Sequence, residues 1–84
     1  MARLAPNFES NLRKNPNADV NVIVRFDSDP AAHLADVQAR GLLVRHTYSL
    51  ISAIAAQGKA SQVLSLISES WVVAVEEDKT VHAM

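Results

Sequence analysis

Nine carboxylates, eight Lys or Arg and three histidines are the side chains of this 84-residue chain that could do chemistry, and it has no cysteine. Without thiols there is no cysteine nucleophile, no disulfide framework and no thiolate metal site. His33 and His46 read as surface or edge residues, and His82 has no serine, cysteine or carboxylate in a triad-like arrangement around it. Two glycines are too few for a phosphate-cradling loop, and no ligand cluster for a metal stands out. The expectation is a protein that is not an enzyme and needs no metal or cofactor. One feature is concentrated: Glu76-Glu77-Asp78 closes the apolar run from Trp71 to Val75. By themselves the three acids could be a solvated strand exit.

Composition narrows the partners. The net charge is −1 and the basic residues are scattered, so nothing attracts a polyanion. Phe8, Phe26, Tyr48 and Trp71 are too few and too dispersed for stacking RNA bases, so no nucleic acid is expected. No apolar run is long enough to span a bilayer, and the first residues lack the apolar middle of a secretory signal. No membrane partner is expected. Hydrophobic residues make up 49% of the chain and charged ones 20%, which is enough apolar surface for one compact core. A domain this short buries only about 60 to 65% of the surface of its unfolded chain, so a partner's help would matter.

The elements follow from periodicity. Leu4, Phe8 and Leu12 recur every four residues ahead of Asn15-Pro16-Asn17, which suits a short amphipathic helix in an N-terminal extension, residues 1–19. The domain proper is expected over residues 20–78. Val20, Val22, Val24 and Phe26 alternate as in a strand. Asp29-Pro30 caps a helix over residues 31–40, and Gly41 ends it. Residues 42–48 and 51–56 form a hairpin, with Val44, His46 and Tyr48 on one side. After Gln57-Gly58, Ala60, Val63, Leu64 and Ile67 mark a second helix over residues 59–69. Residues 71–75 form the last strand, and residues 79–84 an extended tail. The order strand, helix, strand, strand, helix, strand implies an α+β protein with a ferredoxin-like βαββαβ sandwich, in which a four-stranded antiparallel sheet carries two helices on one face.

That architecture hosts unrelated functions, so the residues must decide. Val22-Ile23-Val24-Arg25-Phe26, a helix ending at Gly41, Val44 to Tyr48, the small-residue strand Ile51-Ser52-Ala53-Ile54-Ala55-Ala56, a helix from Lys59, and Val75-Glu76-Glu77-Asp78 occur in order. In pattern and position this series resembles the propeptides of subtilisin-family serine proteases and the free-standing inhibitors related to them. The resemblance covers residues 22–84.

It implies an inhibitor that docks on a subtilisin-like serine protease through the open face of its sheet and also serves as an intramolecular chaperone for the protease. It further implies that Glu76 and Asp78 meet the N-termini of two protease helices, and that Thr80, Val81, His82, Ala83 and Met84 enter the active-site cleft. Met84 would fill the primary pocket and Val81 a second apolar one. The expected assembly is a monomer when free and a 1:1 complex with the protease. Such a chain would be secreted with its protease if it is a propeptide, and intracellular if encoded alone. The alternative is a small-molecule sensor or oligomerisation module of the same fold, in which trimming residues 81–84 would change little.

Overall fold

A computed structural model of the chain describes residues 3–48 and 50–78. Its centre is β2 (Asp19–Phe26), where Val22, Val24 and Phe26 are buried while Asn21 and Arg25 are exposed and Ile23 is half-buried. This is the period-two pattern made physical: alternate side chains leave opposite faces of a strand. β2 pairs antiparallel with β4 (Ala53–Lys59) on one side and with β5 (Val72–Glu77) on the other. β3 (Leu43–Tyr48) pairs antiparallel with β4, and a two-residue strand, β1 (Arg3–Leu4), lies parallel to β5. The sheet order is β1-β5-β2-β4-β3.

The protein is therefore α+β as expected, but its sheet is mixed and five-stranded, not four-stranded and antiparallel, and the helix expected in the N-terminal extension is a third helix of the core. Both differences come from the N-terminal segment. α1 (Pro6–Lys14) starts on a proline whose missing N–H costs nothing there and is braced by Glu9 and Arg13, 2.8 Å apart. Phe8 and Leu12 sit in the same buried cluster as Val24 and Val63. The expected extension is thus a third helix packed into the core beside α3. With α1 anchored there, Arg3 and Leu4 lie opposite Ala74 and Val75 and take up the outer edge of β5. Two residues carry no periodicity that a sequence could show.

The other elements hold with shifted ends. The Asp29 carboxylate accepts a hydrogen bond from the Ala31 N–H at 3.0 Å, but residues 30–33 form a 3-10 turn before α2 (Leu34–Ala39). Gly41 ends the segment at φ +92°, a left-handed conformation open to glycine at little cost. Ile51 and Ser52 belong to the turn and not to the expected strand, which instead runs on through Gln57-Gly58 to Lys59. Gly58 is there for space: a Cβ would run into the side chains of Leu42 and Gln62. α3 (Ala60–Leu66) begins at once, its first turn closed by the Lys59 N–H donating to Gln62 Oε1 at 2.8 Å. β5 reaches Glu77, two residues beyond the apolar run, because Glu76 and Glu77 stand in register with Ile23 and Val22.

The helices cover one face only. Val22, Val24, Ile54, Ala56, Val63, Leu66, Val72 and Val75 are almost completely buried between the sheet and the helix layer. Burying such side chains contributes about 1.5 to 3 kcal/mol each before the entropy of ordering them is subtracted.

Candidate functional site

The helix-free face can be built row by row from the strand register. One row reads Arg3, Ala74, Arg25, Ala53, Tyr48, and the next reads Glu76, Ile23, Ala55, His46. A third holds Asn21, Gln57 and Leu43. In the middle, Ala53 and Ala55 have almost no exposed surface although they lie outside the core cluster on the helix side. The two alanines thus form a covered floor, with Ile23 beside them and mostly polar or aromatic side chains at the rim.

The rim is internally tied. Arg25 Nη1 lies 3.7 Å from Glu76 Oε2, an exposed pair of little energetic weight. The rings of His46 and Tyr48 meet edge to face at 4.5 Å, and Arg45 Nη1 donates to Gln57 Oε1 at 2.7 Å. Arg45 is also where the sequence reading of this strand fails. The ladder shifts between Val44, opposite Ala56, and His46, opposite Ala55. A bulge inserts one extra residue and reverses the alternation beyond it. Val44 consequently points to the helix side, while His46 and Tyr48 point to the free face. Strict alternation had put all three together. A second shift, between Arg25 and Phe26, leaves Val73 as the extra residue of β5, 42% exposed.

The acidic cluster divides in the same way. Glu76 lies on the helix-free face opposite Ile23, and Glu77 lies on the other face opposite Val22, with its side chain exposed. The Asp78 N–H donates to the Asn21 carbonyl at 2.9 Å, so Asp78 continues the ladder and falls on the side of Glu76. Of the residues expected to contact a partner, these two acids share one face. Beyond Val75 the outer edge of β5 is uncovered by β1, and an open groove of about 690 Å³ follows it, bordered by Arg3, Phe8, Arg25, Val73 and Glu76. Thr80, Val81, His82, Ala83 and Met84 lie outside the described residues.

One constellation was not legible in the sequence. His33 stacks on Trp71 with ring centres 4.4 Å apart and planes within 4°, and Phe26 tilts against both rings. His33 Nε2 is 3.2 Å from Ser28 Oγ, and its Nδ1 is 3.9 Å from Asp36 Oδ2. The order of serine, imidazole and carboxylate suggests a proton relay. However, 3.9 Å is longer than a hydrogen bond, and Ser28 and Asp36 are both exposed. The cluster is an aromatic clamp that ties the segment before α2 to the start of β5. Its signal in the sequence was only two aromatic residues and a histidine far apart in the chain. Among the described residues no group of three His, Cys, Asp or Glu side chains could hold a metal, and no helix is long and apolar enough to cross a membrane.

In comparisons with known proteins, no family model matches the chain and no curated protein is significantly similar to it.

Proposed function

We propose that this chain is a propeptide or propeptide-like inhibitor of a subtilisin-family serine protease, which binds the protease with the helix-free face of its sheet and lays its C-terminal residues in the active-site cleft. The observation that carries the reading is the shared side of Glu76 and Asp78, on the face that holds Ile23 and the alanine floor, at the point where the chain runs on into residues 79–84. On this reading β2 to β5 with α2 and α3 form a ferredoxin-like core, and β1 with α1 are additions at its N-terminal side.

Each part has a physical task. The face around Ile23 takes the surface of two protease helices, and Ile23 loses its remaining contact with water against them. Glu76 and Asp78 accept hydrogen bonds from the free N–H groups at the N-termini of those helices. Residues 79–84 contain no proline or glycine, so they can add as a strand along the cleft, with Met84 in the primary pocket and Val81 in the second apolar one. A tail held by a distant docking face acts at high effective concentration, so even a cleavable segment inhibits. The same docking stabilises the folded protease by mass action, which is the basis of a chaperone role.

The test is inhibition of several subtilisin-type proteases, read with a small chromogenic substrate, by the intact chain and by a chain lacking residues 81–84. The expected result is potent inhibition by the first, weakened by about a hundredfold or more in the second, equivalent to roughly 2.7 kcal/mol. A folded intact chain that inhibits none of the proteases overturns the proposal.

A further inference from the structure

The short strand β1 adds a charge to the helix-free face that the rest of the fold does not supply. Leu4 packs against the core cluster on the helix side, so Arg3, its neighbour along the strand, faces the other way. Arg3 lies opposite Ala74, and Ala74 lies opposite Arg25. Two guanidinium groups therefore flank one methyl group, on strands two spacings or about 10 Å apart. Both arginines are exposed, and with Ala74 and Glu76 they border the open groove of about 690 Å³.

Arg3 also differs from the other arginines. Arg13 is paired with Glu9, Arg25 with Glu76, Arg40 with Glu69 and Arg45 with Gln57. Among the described residues Arg3 has no ion pair and no side-chain hydrogen bond. The Arg25–Glu76 contact, at 3.7 Å, is longer than a hydrogen bond, so Arg25 keeps donors to offer. Glu76 stands two residues along β5 from Ala74, about 7 Å away, and Asp78 follows on the same side. The face is thus basic in the row of Ala74 and acidic in the rows after it.

We propose that Arg3 and Arg25 together receive a carboxylate of the protease, an aspartate or glutamate on its surface about 7 Å from the helix N-terminus that Glu76 meets. This rests on the protease reading above and adds a selective element to it. The fork of a guanidinium matches a carboxylate, and the short side chain of Ala74 leaves the gap between the two forks open. A solvent-open gap holds a free anion poorly, whereas a carboxylate carried on a docked surface is kept there by the rest of the contact. The change of sign along β5 also fixes the orientation of docking, because turning the partner round sets like charges together. Subtilisin-type proteases without such a carboxylate are expected to be inhibited less tightly.

The experiment compares the intact chain with Arg3→Glu, Arg3→Gln and Lys14→Glu as inhibitors of a panel of subtilisin-type proteases, with association rates measured at low and high salt. Lys14 is exposed on α1, so Lys14→Glu makes the same change in net charge as Arg3→Glu but away from the helix-free face. Arg3→Gln removes the charge without adding repulsion and keeps the test valid if glutamate loosens β1, and thermal unfolding checks that every variant is folded. Against the protease that the intact chain inhibits most tightly, Arg3→Glu is expected to slow association by about fivefold or more at low salt and Arg3→Gln by about twofold, both losses shrinking in high salt. Lys14→Glu should change little. Equal effects of Arg3→Glu and Lys14→Glu, or no effect of either Arg3 variant, overturn this proposal and leave the protease reading standing. No inhibition of any protease by the folded intact chain overturns that reading and this proposal with it.

Discussion

The two faces of the sheet are made from the same strands with alternate residues, and they have opposite chemistry. On the helix side Val22, Val24, Ile54 and Val75 are branched and aliphatic, and helices cover them. On the other side Arg25, Ala53, Ala55 and Glu76 are small or charged around Ile23, with Leu43 at the far rim. The first face holds the domain together, and on the proposed reading the second meets the protease. The difference teaches that stability and recognition are separable here by residue parity along one strand.

That separation can be broken on the stability side first. Ile54→Ala or Leu12→Ala removes a fully buried aliphatic side chain, and each is expected to cost about 2 to 5 kcal/mol in urea unfolding. A small loss for Leu12→Ala would mean that α1 is an appendage and not a wall of the core. Gly58→Ala forces a methyl group against Leu42 and Gln62 and is expected to lower stability by about 1 to 3 kcal/mol in the same measurement. The recognition side is sharpened by Ile23→Lys, which sets a cation opposite Glu76 on the free face. The unfolding midpoint should barely move while inhibition weakens about tenfold or more, roughly 1.4 kcal/mol. Smallest are Glu76→Gln and Asp78→Asn, each of which on the proposed reading removes one charge from a helix N-terminus of the protease. Each should weaken inhibition by about two- to fivefold, for roughly 0.3 to 1 kcal/mol, with less effect in high salt.

Much of this architecture was legible because its periodicities are strong. Val20, Val22, Val24 and Phe26 recur at every second position with only Ile23 apolar between them, and Asp29-Pro30 and Gly41 punctuate the segment between β2 and β3 as expected. The failures share a cause: each depends on a contact distant in sequence. β1 exists only because α1 docks on α3 and delivers Arg3 and Leu4 to β5. The bulge at Arg45 depends on the β4 ladder, and local alternation cannot reveal it. Gly58 reads as a turn signal yet serves the approach of Leu42 and Gln62. Of the candidate site, the sequence marked the acids at 76 and 78, but their common face needed the register with Asn21 and Ile23.

The most direct test of the central claim compares two folded proteins, the intact chain and Ile23→Lys, as inhibitors of a subtilisin-type protease. The account predicts tight inhibition by the intact chain, weakened about tenfold or more in the variant at unchanged thermal stability. Equal inhibition by both, or none by the folded intact chain, would contradict it.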